Sequence, residues 1–190
     1  HYITSRNDVG RFVCDIYPSL RGTLSHKFVH PDEINLAESN IVFFATPNGI
    51  AMKYAKELLD RGVKVIDLSA DFRIKDIDEW EKWYEMPHEC PDILEKSVYG
   101  LPEVHRDQIK NAELVANPGC YPTAIQLALM PLLKEGLIDP ISIIADAKSG
   151  ITGAGKKNRV DLLMSEASEN FKAYSLTGHR HQPEIEENLS

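Results

Sequence analysis

Hydrophobic residues along the chain form short continuous runs separated by stretches with helical periodicity. Residues 41–45 form a short apolar run, which predicts a strand buried on both faces of a sheet. In residues 50–61 apolar side chains recur every three or four positions, so a helix is predicted there, ending at Gly62. Residues 63–68 predict the next strand. A strand, a helix and a strand in about 30 residues form a βαβ unit, which indicates a parallel sheet.

The rest of the chain continues this alternation. Residues 76–96 are polar with embedded aromatic side chains, which predicts a short helix and a long surface excursion. Further strands are predicted at residues 2–4, 113–116 and 141–147, helices at residues 121–135, 160–170 and 183–190, and a glycine-rich loop at residues 150–158. The alternation places the chain in the α/β class.

The composition is that of a folded globular chain. The 190 residues are 43% hydrophobic and carry a net charge of −8, which argues against disorder, a nucleic-acid interface and docking on an anionic membrane. No apolar run is long enough to span a bilayer. Three cysteines without metal-ligand spacing indicate reduced thiols and a cytoplasmic protein. Both ends read as cuts through secondary structure, so we expect a piece of a longer protein.

Cys120 is the strongest candidate for a reactive side chain. It follows a predicted strand and a Pro-Gly turn, and Pro122 suits the first turn of the helix that begins there. Unpaired amides at a helix N-terminus favour a thiolate and can hold an oxyanion on an attacked carbonyl. Cys120 is therefore predicted to be a nucleophile, whereas Cys14 and Cys90 lack activating neighbours and are predicted to be structural.

A cysteine nucleophile needs an acid/base partner, and the segment before Pro183 supplies two histidines. In an extended segment His179 and His181 point to one side and Arg180 to the other. A metal pair and a basic surface loop are the competing interpretations. No third or fourth ligand lies at a recognisable spacing, so no metal is predicted.

Other candidates follow predicted strands and would share the carboxyl edge of a parallel sheet, where ligands bind. Arg73 is either a carboxylate or phosphate clamp or half of an Asp–Arg surface pair. Arg6 is placed to accept the 2′-phosphate of NADP. A glycine-rich loop lets its backbone approach a ligand closely. The remaining candidates in these segments are Ser5, Thr46, Pro47, Asn117, Ser149, Gly150, Gly153 and Gly155.

Taken in order, these motifs resemble those of the N-acetyl-gamma-glutamyl-phosphate reductase family of arginine biosynthesis. The similar segments are Thr4-Ser-Arg6 with Gly10, Ala45-Thr-Pro-Asn-Gly49, Asp67-Leu-Ser-Ala-Asp-Phe-Arg73, Tyr99-Gly-Leu-Pro-Glu103, Asn117-Pro-Gly-Cys-Tyr-Pro-Thr-Ala124, Ser149-Gly-Ile-Thr-Gly-Ala-Gly155 and Gly178-His-Arg-His-Gln-Pro-Glu184. The cysteine and histidine segments are the most specific. Residues 45–49 are a variant, because the family more often has Leu-Pro-His-Gly there.

The resemblance implies a fold in two parts. An incomplete Rossmann-type doubly wound parallel sheet, residues 1–118, would bind NADP but lack its first βα unit and phosphate loop. Residues 119–190 would begin a glyceraldehyde-3-phosphate-dehydrogenase-like α+β substrate domain. We therefore expect the isolated chain to bind little NADPH. The resemblance also implies a small-molecule acyl-phosphate substrate and a homo-oligomer, either a dimer or a tetramer.

The reaction implied by the resemblance begins when the Cys120 thiolate attacks the acyl phosphate of N-acetyl-glutamyl phosphate. Phosphate leaves, and NADPH reduces the thioester to the semialdehyde. His181 is the predicted acid/base residue and His179 its substrate-binding neighbour, although the sequence alone leaves their order open. Arg73, Arg180, Asn117 and Ser149 are assigned to the substrate. The assignments to the cofactor are Ser5, Arg6, Thr46, Pro47, Ser149, Gly150, Gly153 and Gly155.

Three alternatives remain open from the sequence. One is a related reductase acting on the longer, aminoadipate-type acyl phosphate of lysine synthesis. Another is a cysteine–histidine hydrolase or acyltransferase that uses no nicotinamide. The third is a non-catalytic fragment.

Overall fold

The computed structural model describes residues 1–190 and joins parallel strands through helices. Its elements, numbered along the chain, are β1 (Ile3–Thr4), α1 (Val13–Ile16), β2 (Phe28–Val29), β3 (Ile41–Phe44), α2 (Ala51–Asp60), β4 (Lys64–Asp67), α3 (Ile77–Tyr84), α4 (Pro91–Leu94), β5 (Ser97–Tyr99), α5 (Pro102–Asn111), β6 (Leu114–Ala116), α6 (Cys120–Lys134), α7 (Met164–Ala167) and α8 (Gln182–Leu189). Short 3-10 turns connect several of them.

The main sheet has four parallel strands in the order β3, β4, β6, β5. A second, two-stranded sheet pairs β1 with β2, also in parallel. The predicted parallel α/β class is confirmed, and so is the unit formed by β3, α2 and β4. β5 was missed because three residues within a polar stretch carry no clear period.

The prediction that residues 41–45 are buried on both faces is wrong. Val42 and Phe44 of β3 are buried, whereas Ile41 and Phe43 are exposed, Phe43 by 61%. β3 lies at an edge of its sheet, and only one of its faces packs against the core. An apolar run predicts a strand but does not show how many of its faces are covered.

Residues 76–96 also differ from the expected surface excursion. Trp80 of α3 is fully buried, and its indole N–H donates to the Ala70 carbonyl over 2.8 Å. Ile93 and Leu94 of α4 are buried in the same cluster. The charged side chains of this region are exposed or half-buried while the large apolar ones complete the core, so the segment is part of the fold's interior.

The strand predicted at residues 141–147 is absent, and that prediction is wrong. A 3-10 turn at Pro140–Ser142 is followed by irregular chain, in which Ile141 is 93% and Ile144 91% exposed. β-branched residues form a strand only where a neighbouring strand can pair with them, and neither sheet reaches this segment. The helix predicted over residues 160–170 is reduced to a 3-10 turn and α7.

The predicted helices at residues 121–135 and 183–190 are confirmed as α6 and α8. The two helices pack against each other. None of the helices combines the length and the apolar composition that crossing a membrane requires.

Replacement of Trp80 tests this description of the core. Trp80→Ala removes a fully buried ring and its hydrogen bond to the Ala70 carbonyl, so we expect a loss of about 3–5 kcal/mol in the free energy of unfolding. Urea titration followed by circular dichroism measures it. Val160→Ala, at a position that is 72% exposed, is the control and should stay within about 0.5 kcal/mol. Equal stability of the two variants would contradict a buried Trp80.

Candidate active site

Cys120 lies at the N-terminus of α6, as predicted from the Pro-Gly turn and Pro122. Gly119 is the N-cap residue, with φ −66° and ψ 158°, and the Cys120 side chain is exposed. β6 ends at Ala116, so the helix begins at the carboxyl edge of the main sheet. Solvent or a ligand can therefore reach the thiol directly at the unpaired amides of the helix.

His181 is brought to the same turn. A Cβ atom built on Gly119 would lie 2.7 Å from the Nε2 atom of His181, so the imidazole packs directly against the residue before Cys120. The His179 ring lies beside it, with 4.8 Å between the two ring centroids. The sequence prediction that both rings share one side of the segment agrees with this geometry.

Glu184 completes the group, and the sequence analysis assigned it no role. Its Oε1 atom accepts hydrogen bonds from the Gly119 amide and the Tyr99 hydroxyl, each over 2.8 Å. Its Oε2 atom lies 3.0 Å from the Cβ position built on Gly119. Spacing gives the signal that was overlooked, because residues three apart on a helix share one face, and His181 and Glu184 are three apart at the start of α8.

Arg73 is buried beside this carboxylate. Its side chain is 8% exposed, with Nη1 3.8 Å from Oε2 of Glu184, and Nη2 donates to the Leu68 carbonyl. The alternative of a surface pair between Arg73 and an aspartate is therefore wrong. The nearby Asp71 instead accepts the Gly49 and Met52 amides at the start of α2.

Burial controls the charges at this site. It lowers the pKa of His181 to about 3, assisted by the positive charges of His179, Arg73 and Arg180. Burial likewise lowers the pKa of His179. It raises the pKa of Glu184, against the opposing effects of Arg73, the Gly119 amide and Tyr99. Both imidazoles are therefore neutral near pH 7 and can accept a proton.

Several buried polar atoms near Glu184 have no hydrogen-bond partner. They are Nε of Arg73, the hydroxyl of Tyr84, Oε1 of Gln126, Nδ1 of His181 and Oε2 of Glu184. Buried polar groups are nearly always paired, so this concentration of unpaired atoms marks a place where an ordered water or a polar ligand group would be stabilised.

An open cavity adjoins the two histidines. It has a volume of about 770 Å³ and lies between α6, α8 and the irregular chain before α8. Tyr121 and Tyr174 line it, with their hydroxyls 2.8 Å apart, and the His179 ring lies edge-on to both. The lining is about half apolar and half polar, and this mixture suits a small organic ligand.

The residues assigned to the cofactor phosphate lie near the end of β1. The Ser5 hydroxyl accepts the Asn7 and Asp8 amides. The Arg6 guanidinium is exposed and bonds to both carboxylate oxygens of Asp32, over 3.2 and 3.3 Å. An exposed pair of this kind is weak, so the guanidinium fits a phosphate that replaces Asp32.

The other assigned residues are less closely joined to Cys120. Thr46 has a buried hydroxyl without a partner, and Pro47 is exposed. The Asn117 amide side chain bonds to the Pro118 carbonyl. The segment containing Ser149, Gly150, Gly153 and Gly155 is exposed, and none of its hydrogen bonds reaches Cys120, His179 or His181. Arg180 is exposed next to the two histidines. The roles assigned to all these residues stay predictions.

The fold and the site together define an α/β protein that carries a cysteine–histidine site at the carboxyl edge of a parallel sheet. Two family models match the chain: the NAD binding domain of semialdehyde dehydrogenase over residues 1–112, and the semialdehyde dehydrogenase dimerisation domain over residues 120–190. The chain belongs to the semialdehyde dehydrogenase family. The domain division at residues 118 and 119 stays a prediction.

Individual relatives are also similar along the chain. It is 57% identical over 188 residues to N-acetyl-gamma-glutamyl-phosphate reductase of Nitrosospira multiformis, which covers 99% of this chain and 55% of that protein. The enzyme of the same name from Thiobacillus denitrificans is 57% identical over 187 residues, or 98% of this chain and 55% of that protein. The chain thus spans about half the length of the curated relatives it matches.

A solved structure, aspartate semialdehyde dehydrogenase II from Vibrio cholerae, is similar at a TM-score of 0.48 and 20% identity, covering 69% of this chain and 32% of that one.

A methyl group on Gly119 tests the convergence of His181 and Glu184. Gly119→Ala requires no change of backbone conformation at φ −66°, but its Cβ would lie 2.7 Å from His181 Nε2 and 3.0 Å from Glu184 Oε2. We expect a loss of about 1–3 kcal/mol in the free energy of unfolding, measured by urea titration. Gly150→Ala is the matched control, because Gly150 is also an N-cap, with φ −69° and ψ 162°, and nothing lies within 4 Å of its built Cβ. Two equally stable variants would refute the convergence.

Asp67, at the end of β4, provides a test by pH. Burial raises its pKa to about 6, although the Ser69 hydroxyl and amide oppose this. The folded state thus holds the proton of the Asp67 carboxyl more tightly than the unfolded chain does. The stabilisation that protonated Asp67 contributes is therefore complete below about pH 4 and is lost as pH rises through 6. We expect Asp67→Asn to be more stable than wild type at pH 7.5, by up to about 3 kcal/mol, and the gain to vanish near pH 4.

The measurement is urea unfolding of both proteins between pH 4 and 7.5. Asp107→Asn, on the exposed side of α5, is the control for effects of net charge. A gain for Asp67→Asn that does not depend on pH would contradict the raised pKa of Asp67.

Proposed function

We propose that this chain carries the thiol nucleophile and the base of an N-acetyl-gamma-glutamyl-phosphate reductase. The reaction is the NADPH-dependent reductive dephosphorylation of N-acetyl-glutamyl 5-phosphate to the semialdehyde, a step of arginine biosynthesis. The observation that carries the proposal is the meeting of His181 and Glu184 at Gly119, directly before Cys120 at the N-terminus of α6. The names of the relatives support the choice of substrate.

His181 acts as the base that activates the thiol. Because its pKa is lowered to about 3, the imidazole is neutral near pH 7 and its lone pair is free. An imidazole of this low pKa is a weak base, so it takes the Cys120 proton only when its charged form is stabilised. The carboxylate of Glu184 then lies close to the imidazolium that forms. His179, whose ring contacts His181 and Tyr121, binds the substrate beside the reacting centre.

The N-terminus of α6 stabilises the substrate carbonyl that the thiolate attacks. Its unpaired amides point to the space in front of Cys120 and stabilise negative charge on the carbonyl oxygen while the thiolate adds. The carbon–sulfur bond forms, the bond to the phosphate oxygen breaks, and a thioester on Cys120 remains. Arg73 and Arg180, with Asn117 and Ser149, hold the substrate and its phosphate.

NADPH, when bound, supplies the hydride that reduces this thioester. The residues that would hold it are Ser5, Arg6, Thr46, Pro47, Ser149, Gly150, Gly153 and Gly155. The exposed guanidinium of Arg6 and the unpartnered hydroxyl of Thr46 fit this role, because each presents an unsatisfied or weakly bound polar group after a strand. After reduction His181 returns the proton as the thiolate leaves the semialdehyde.

The assembly proposed for the enzyme is a cytoplasmic homo-oligomer, a dimer or a tetramer. Residues 120–190 match a dimerisation domain. Large apolar side chains in this part are exposed, among them Ile141, Ile144, Leu176 and Phe171. Surfaces of this kind are typical of interfaces.

The test is turnover by the complete polypeptide, at the length of its curated relatives. Wild type should oxidise NADPH when N-acetyl-glutamyl phosphate is added, and should run in reverse with the semialdehyde and phosphate. Cys120→Ala should lose at least about a thousandfold in kcat, because the nucleophile is removed. His181→Asn should lose about a hundredfold or more.

Cys14→Ala is the matched control, since Cys14 is half-buried and lies far along the chain from the site. Full activity of Cys120→Ala would overturn the mechanism. Faster turnover of the one-carbon-longer aminoadipate-type substrate would overturn the assignment of the substrate.

A further inference from the structure

The segment that carries His179 and His181 is held at both ends by the chain that follows β4. At its C-terminal end, Glu187 of α8 accepts the Lys75 amide with both carboxylate oxygens, Oε2 over 2.9 Å and Oε1 over 3.2 Å. Lys75 lies two residues after Arg73 in the sequence. The contact therefore joins α8 to the same stretch of chain that faces Glu184.

Lys75 is itself firmly fixed. Its ammonium group donates to the Ser97 carbonyl and the Ser97 hydroxyl, each over 2.8 Å, and to the Leu94 carbonyl. Ser97 is the first residue of β5 and is buried. The amide that Glu187 binds is thus anchored to the main sheet through its own side chain.

The N-terminal end of the segment is held by a steric contact. A Cβ built on Gly178 would lie 2.8 Å from the Cη2 atom of Trp83, and the φ of Gly178 is +145°. The indole of Trp83 is oriented by a hydrogen bond to Glu79 over 3.1 Å. Only glycine has room here, so the chain passes directly over the α3 indole before it reaches His179.

We propose that Glu187 is a positioning residue for the thiol site. Glu184 and Glu187 are three apart on α8 and share one face. When Glu187 holds the Lys75 amide, the helix cannot slide or turn, and Glu184 and His181 stay against Gly119. Glu187 forms no hydrogen bond with Cys120, His179 or His181, so it acts through the helix. The consequence for turnover rests on the proposed function.

This role explains why an exposed carboxylate would matter to the reaction. A displacement of about 1 Å between a nucleophile and its base can lower a rate about a hundredfold. The helix has a buried contact at Glu184 but is exposed on its other side. A second contact one turn further along resists the rotation that a single contact allows.

Three variants of the complete polypeptide test the proposal. Glu187→Ala removes the acceptor, and we expect kcat to fall about tenfold while the KM for NADPH stays within about twofold. Glu187→Gln keeps one carbonyl acceptor for the Lys75 amide and should stay within about twofold of wild type in kcat. Asp107→Ala is the control, because it removes an exposed carboxylate of another helix whose side chain bonds only to Lys110 of α5.

A second measurement does not depend on the substrate. Iodoacetamide alkylation of Cys120, followed between pH 5 and 9 by mass spectrometry of its peptide, reports how readily the thiol loses its proton. For Glu187→Ala we expect the rate at pH 7 to fall about fivefold or more and the profile to move to higher pH. Glu187→Gln should restore the wild-type profile, and Asp107→Ala should match wild type.

The outcomes separate the two proposals. If wild type fails to reduce N-acetyl-glutamyl phosphate but the alkylation profiles follow this pattern, the proposed function fails and the positioning role stands. If Glu187→Ala matches wild type in its alkylation profile, the positioning role is overturned. The same holds if Glu187→Gln is as impaired as Glu187→Ala, or if Asp107→Ala shows an equal loss.

Discussion

The hydrogen bond from the Gly119 amide to the buried carboxylate of Glu184 is the contact on which the site depends. It joins residues 65 positions apart in the chain, and it brings the starts of α6 and α8 together. Gly119 immediately precedes the thiol, and Glu184 stands one helical turn after His181. One hydrogen bond of 2.8 Å therefore sets both the position of the Cys120 thiol and the position of the His181 imidazole. A side chain at residue 119 would occupy the space that this approach requires.

A fully buried carboxylate carries a desolvation cost that the surrounding chain must offset. Here the Gly119 amide, the Tyr99 hydroxyl and the guanidinium of Arg73 face it from three different elements. Each of these groups lies at or just beyond the carboxyl end of β4, β5 or β6. Parallel strands present these ends along one edge. The sheet topology therefore brings to Glu184 the groups that offset its desolvation, which a single helix could not supply. The sheet thereby determines where α8 can dock.

The sequence predicted the elements that are defined by local pattern. The apolar run of β3, the helical period of α2 and the Pro-Gly turn before Cys120 each have a short-range cause, and the structure contains all three. Properties that depend on distant chain could not be predicted in this way. Phe43 is exposed because only the opposite face of β3 packs against the core, and Trp80 is buried because it packs in that core and bonds to the Ala70 carbonyl. A window of residues around either position gives no sign of these neighbours.

In the candidate site too, packing separates the motif residues that come together from those that do not. No residue between positions 127 and 180 is buried, whereas His181, Glu184 and Gln126 on either side of this stretch are. The motif residues at Cys120 and His181 come together because their helices dock on the sheet through buried polar bonds. Ser149 and the glycines after it belong to a motif about as long as the cysteine and histidine motifs. They lie in the exposed stretch, where no buried contact fixes them. A motif therefore marks candidate side chains, while the buried contacts of its flanking helices decide whether those side chains meet within a chain of this length.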